Sequence, residues 1–177
     1  PIRHMSELCS ITYGERDGSR SARIEAVDAM MRGLKFQPRL SDVILQEMWE
    51  KWVVLATLAG ATTLMRAAVG DIVAAPEGTA LIEALHAECT IVAASSGFEP
   101  RAIVAERARA QLTAAGSTFT ASMLRDIESK GRIEADHVIG DLIARGQRLA
   151  PEVSFPILTA VYTGLKAYEA RRARETA

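Results

Sequence analysis

A mainly α-helical protein, a helix bundle with a short β remnant at its start, is what three features of the sequence predict. Beyond residue 40, apolar and small residues recur at three- and four-residue intervals between glycine and proline breaks. Nearly half of the 177 residues are hydrophobic (49%) but only 5% are aromatic, a composition rich in alanine and leucine that suits packed helices. Strand-like runs are confined to the first forty residues. The length fits one domain, or one domain and a fragment of another. The division falls at residues 1–40 and 41–177.

Residues 8–13, LCSITY, favour a strand closed by the turn from Gly14 to Gly18. Residues 19–32 carry Ile24, Val27, Met30 and Met31 at helical spacing, and Gly33 ends that helix. Residues 34–36 form a second short strand before Pro38. Two such strands cannot make an independent sheet, so they are expected at the edge of a sheet whose remainder lies upstream, or poorly ordered. Ser41 is a candidate N-cap with Asp42 in the first turn. Residues 46–70 then read as one long central helix, stopped by Gly70, with Gly60 allowing another backbone to come close. Helices follow from Pro76 to Gly97, from Pro100 to about Ala114, over 118–129, over 133–149 and over 157–172.

Lys51 lies between Trp49 and Trp52 at the start of the long helix. It is either a snorkelling surface lysine or a catalytic or anion-binding group at a cleft mouth, because a buried ammonium requires a partner. Ser122 and Asp126, four apart, share a helix face, and Glu134 opens a helix after the break at Gly131. Glu134 is either a dipole partner of that helix or a second group facing the cleft of Lys51. His4, His86 and His137 are scattered, and no metal-ligand spacing is present. Cys9 and Cys89 form no redox or metal motif and read as reduced thiols. No glycine-rich phosphate loop occurs, so nucleotide binding would need residues outside this chain. A net charge of −1 gives no electrostatic reason for a nucleic-acid or acidic-membrane partner. The uncharged run over 52–65 is too short for a bilayer span, and the expected location is cytoplasmic.

The W-E-K-W stretch at 49–52, its small apolar continuation, and S-M-L-R-D-I-E-x-x-x-x-I-E-x-x-x-x-x-G from Ser122 to Gly140 resemble the C-terminal half of ketopantoate reductases (2-dehydropantoate 2-reductases). I-T-Y-G-E-R-D-G-S-R-S-A-R, from Ile11 to Arg23, resembles the last sheet segment before that family's helical domain. The resemblance implies a helical domain shaped like the C-terminal domain of 6-phosphogluconate dehydrogenase, preceded at 1–40 by the tail of a Rossmann domain that binds NADPH. It implies reduction of a 2-oxo acid, in the family ketopantoate to pantoate in pantothenate biosynthesis, and a homodimer.

By the same resemblance, Lys51 matches the proton donor to the ketone oxygen and Glu134 the carboxylate that holds the substrate hydroxyl. Ser122 matches a substrate-carboxylate contact and Asp126 a supporting acid. The family carries asparagines four and eight residues beyond the lysine. Here those positions hold Leu55 and Ala59, which implies a substrate other than ketopantoate. The rival reading is a non-catalytic helical dimerisation module.

Overall fold

The structure, a computed structural model, describes residues 9–175 and divides into two compact units, Pro1–Met48 and Trp49–Ala177. The first eight residues of the expected β remnant lie outside the described residues.

The first unit is a β–α–β arrangement. β1 (Ser10–Tyr13) pairs in parallel with β2 (Gln37–Leu40), Ser10 opposite Gln37 and Tyr13 opposite Leu40. Between them runs α1 (Ala22–Met31), whose first turn is capped by Ser21. The Ser21 hydroxyl accepts from the Ile24 amide at 3.2 Å and donates to the Glu15 carboxylate at 2.5 Å.

The second strand begins one residue after the expected 34–36 and contains the proline that was to end it. The Gln37 and Ser41 amides donate to the Cys9 and Tyr13 carbonyls at 2.8 Å each. Alternation along the strand therefore turns the Pro38 nitrogen, which has no proton to donate, to the unpaired edge.

α2 (Ile44–Met65) starts later than Ser41 suggested. The Ser41 hydroxyl instead accepts from the Val43 amide, 3.1 Å away, in the turn before the helix. α2 also ends before Gly70. Arg66 takes a left-handed conformation (φ 55°), and the Ala67 amide reaches back to the Thr62 carbonyl at 3.3 Å, the closing bond of a Schellman motif.

Gly70 lies in a separate short helix, α3 (Val69–Ala74), and its reason is close approach. A Cβ there would stand 2.4 Å from the Ser117 nitrogen, while the Gly70 amide donates to the Ser117 carbonyl at 2.8 Å. Sequence periodicity ran through this break because α3 continues the apolar pattern of α2.

The second unit is helical throughout its regular elements, as expected. It holds α4 (Gly78–Ser95), α5 (Ala102–Leu112), α6 (Ser122–Glu128), α7 (Asp141–Leu149) and α8 (Pro156–Glu175). The helix expected over 133–149 opens with a π-helical turn, Asp136–Gly140, before continuing as α7.

Residues 56–63 of α2 are buried on every side, which makes this stretch the axis of the core. Small side chains permit that enclosure. A Cβ on Gly60 would come within 2.8 Å of Leu85 on α4 and 3.4 Å of Val161 on α8. The buried hydroxyls of Thr57, Thr62 and Thr63 donate to carbonyls one turn back in α2 at 2.8, 2.7 and 2.6 Å, so none is left unpaired.

Candidate functional site

Every sequence-predicted site residue lies in the second unit, and α2 sets their geometry. At about 100° per residue, Lys51, Leu55 and Ala59 fall on one side of the helix. Lys51 and Leu55 are exposed, whereas Ala59 is 5% exposed and belongs to the core. Of the two positions where an amide is replaced, only Leu55 therefore presents its side chain at the surface.

Trp49 and Trp52 do not enclose Lys51. Their rings pack against each other 4.9 Å apart, Trp49 stacks on Phe98 at 5.7 Å, and the Arg145 guanidinium lies 5.6 Å from both indoles. Lys51 is adjacent in sequence but points elsewhere on the helix, with its side chain in the open.

Both immediate neighbours of Lys51 are tied down. Glu50, 4% exposed, accepts from the Arg101 amide at 3.0 Å and from the Arg101 side chain at 2.7 and 2.6 Å. It therefore holds the start of α5 against α2. The Trp52 indole donates to the Val138 carbonyl at 3.0 Å, inside the π-helical turn. That bond brings the turn following Glu134 alongside the turn of α2 that carries Lys51.

Glu134 itself is exposed, and its carbonyl accepts the Val138 amide at 3.0 Å. A π turn is wider than an α turn and is frequently found at functional sites. Here it is fixed from α8: Tyr162 donates to Asp136 at 2.6 Å and Lys166 to both Asp136 oxygens at 3.0 and 3.1 Å. These contacts hold the Asp136 carboxyl below its usual range, the Tyr162 bond contributing most and the Lys166 bond next. The same pairing pushes the Tyr162 hydroxyl up, led by its hydrogen bond to a carboxylate.

Ser122 is the exposed first residue of α6. The preceding amide, Ala121, meets the Thr62 hydroxyl at 3.4 Å, so Ser122 enters beside α2 about 16 Å along the axis from Lys51. Asp126, one turn further, is half-buried, and its carbonyl accepts the Gly131 amide at 2.6 Å. The arrangement places the Glu134 turn beside the turn of α2 that carries Lys51, and the start of α6 beside Thr62, near the C-terminal end of α2. Among the described residues, no three His, Cys, Asp or Glu side chains converge as a metal site requires, and no helix is long and apolar enough to cross a membrane.

The family described as "Ketopantoate reductase PanE/ApbA C terminal" matches residues 43–169. The chain belongs to the ketopantoate reductase family. Residues 43–169 are its C-terminal part, and the helical architecture built on α2 is that of the family. Its relatives are oxidoreductases. An uncharacterized oxidoreductase, YkpB, of Bacillus subtilis (strain 168) is 32% identical over 171 residues, 97% of this chain and 56% of that protein. A 2-dehydropantoate 2-reductase of Archaeoglobus fulgidus is 30% identical over 137 residues, 77% of this chain and 46% of that protein. The fold is also that of a PanE/ApbA family ketopantoate reductase from Ralstonia eutropha JMP134, with a TM-score of 0.82 at 18% identity, over 97% of this chain and 54% of that one. The chain thus spans about half the length of the curated relatives it matches.

For this ketopantoate reductase family member, the contacts that support the candidate site were not legible in the sequence, although Trp52 itself stands beside Lys51 there. Trp52, Asp136, Tyr162 and Lys166 act through contacts between helices far apart in the chain, such as α2 with the π turn. The available signal was Asp136 two residues beyond Glu134, but nothing in the spacing points to α8 as its partner.

Proposed function

We propose that this chain is the substrate-binding half of an NADPH-dependent reductase of 2-oxo acids, related to 2-dehydropantoate 2-reductase and working as a homodimer in the cytoplasm. The observation that carries the reading is Lys51. It is exposed on α2, while Glu50 and Trp52 on either side are each bonded to another helix.

Reduction of a ketone leaves negative charge on its oxygen, and an ammonium placed there both stabilises that charge and supplies the proton. Glu134 would accept a hydrogen bond from the substrate hydroxyl; family resemblance, not proximity to Lys51, assigns Ser122 to the substrate carboxylate and Asp126 to its support. Leu55, exposed one turn from Lys51, supplies an apolar surface where an amide stands in the family pattern. Removing amides relaxes discrimination in favour of a polar tail. The substrate is therefore a 2-oxo acid with a tail more apolar than that of ketopantoate.

The residues present do not fit the pyrophosphate of the cofactor. The turn between β1 and α1 has Glu15 beside the helix N-terminus, accepting from Ser21 at 2.5 Å and from Arg23 at 3.1 and 2.5 Å. A carboxylate there occupies the position a phosphate would take and repels it. In this reading residues 1–40 are the tail of a Rossmann domain whose glycine-rich loop lies outside the chain, and the 177 residues alone are inactive.

The test is a panel of 2-oxo acids assayed with NADPH and with NADH on the full-length protein. An apolar 2-oxo acid is expected to outperform ketopantoate, and Lys51→Ala to lower kcat more than it raises KM. Ketopantoate as the best substrate by a wide margin would refute the substrate assignment. Full activity in Lys51→Ala would refute the role of the lysine. No reductase activity with any 2-oxo acid would favour the second reading, a helical dimerisation module that keeps the fold without the chemistry.

A further inference from the structure

A cavity of about 420 Å³ lies at the far ends of α2 and α8. Arg66, one residue past α2, lies about 22 Å from Lys51 along the helix axis. The floor is apolar: Ile127 of α6 and Val161, Leu165 and Tyr168 of α8 are all buried side chains that line it. Three guanidinium groups also line it, Arg66 from just past α2 and Arg171 and Arg174 from α8.

Arg171 faces Glu175 at 3.8 Å and lies over the Tyr168 ring at 5.8 Å. Among the described residues, Arg66 and Arg174 have no carboxylate partner. Cations at a helix C-terminus suit the dipole, which accounts for basic residues late in α8 but not for a cavity between them and the end of α2.

Gly164 gives an independent indication. It sits in the interior of α8, where glycine is among the poorest helix formers, and it lines the same cavity. Packing does not require it, since a Cβ built there meets nothing within 4 Å. Gly164 is exposed, and a side chain at that position would extend into the mouth of the cavity.

We propose that this cavity binds a small organic anion, a carboxylate or phosphate ester with an apolar body. Its charged end meets Arg66 and Arg174, and its body lies over Val161, Leu165 and Ile127. A bare inorganic anion would leave most of the cavity and all of its apolar floor uncovered. The assignment stands independently of the reductase reading, because it uses no residue of that site.

Isothermal titration calorimetry of the chain with octanoate, phenyl phosphate and inorganic phosphate tests it and separates the two headgroups. At least one of the amphipathic anions is expected to bind with one-to-one stoichiometry, at least tenfold more tightly than inorganic phosphate. Arg66→Ala with Arg174→Ala should weaken that binding at least tenfold. Gly164→Leu, which keeps every arginine, should abolish it while leaving the melting temperature at or above that of the parent. The proposal is overturned if neither amphipathic anion binds at millimolar concentration, if inorganic phosphate binds equally well, or if either variant binds like the parent. Light scattering supplies the remaining outcome. A chain that is dimeric and becomes monomeric on Gly164→Leu would make this face a contact between copies, and the ligand site would be wrong.

Discussion

Replacing Glu88 should destabilise the protein more than replacing any exposed carboxylate on the same helix. Glu88 belongs to α4 but is 8% exposed, and its two oxygens accept from the Ile157 and Leu158 amides at 3.0 and 2.8 Å. Those amides follow Pro156 in the first turn of α8, where no carbonyl of the same helix is available to them. Pro156 has no amide proton, so the three groups together leave the start of α8 satisfied.

Glu88→Ala removes both acceptors and leaves Leu158, fully buried, with an unpaired N–H. At about 1–3 kcal/mol for each buried donor left without a partner, and with some relief from water at half-buried Ile157, the expected loss is about 2–4 kcal/mol. For a chain of this size that corresponds to a fall in Tm of roughly 5–15 °C. Glu88→Gln keeps one accepting oxygen and should cost about half as much. Urea unfolding of the parent, both variants and the control Glu83→Ala measures it. The Glu83–Arg109 pair is largely exposed, and its loss should cost under about 1 kcal/mol. If Glu88→Ala unfolds with the same midpoint as Glu83→Ala, the two amide bonds do not hold α8, and the reasoning is wrong.

Thiol labelling of the native chain should modify Cys9, which is exposed, and spare Cys89, whose thiol is pushed up to about 12 by complete burial. Equal labelling of both without denaturant, read by mass spectrometry, would show that the α4 core opens readily. Asp136 has its carboxyl held below the ordinary 3.8, so its contacts stabilise the fold at pH above that value and their contribution is lost as pH falls through the lower, folded-state value. Asp136→Asn should therefore flatten the acid limb of the stability–pH curve and leave its shape above pH 6 unchanged; an identical acid limb would sink the assignment. Trp52→Phe should cost about 1 kcal/mol in the same urea assay by removing the indole's bond to the Val138 carbonyl, and a neutral result would mean that water replaces the indole there.

The helical class was legible because α2 buries residues 56–63 on all sides, and only small and apolar side chains allow that. The break at Arg66 was not legible. Arginine carries no left-handed preference, and the stop comes from the Schellman bond between Ala67 and Thr62 together with the docking of α3 on residues 117–119. Gly70 was read as punctuation because glycine serves both purposes, and only the 2.4 Å approach of Ser117 shows which one applies. The displaced second strand has the same origin: Pro38 stops a strand only if its nitrogen faces a partner, and sequence does not say which edge is open. For the candidate site, the resemblance is what nominates Lys51, Ser122 and Glu134. From sequence, Lys51 reads as a surface lysine or a group at a cleft mouth; the structure leaves it exposed, and helical rotation turns the neighbouring indoles toward Arg145 and Phe98.

That rotation bears on how a lysine can be both exposed and well placed. A long cationic side chain on a surface helix ordinarily inherits the freedom of its backbone, and a proton donor gains from having that freedom removed. Here the restriction is applied to the neighbours. Glu50 is buried and bound at three points by Arg101, and Trp52 is bonded to Val138 while packed on Trp49. The helical turn is thereby fixed from two directions while the ammonium stays in the open. The π turn receives the same treatment: Val138 is held by α2 and Asp136 by α8, with exposed Glu134 just before them. Both candidate groups are thus exposed side chains on immobilised backbone, and a single interhelical bond, Trp52 to Val138, couples the two supports.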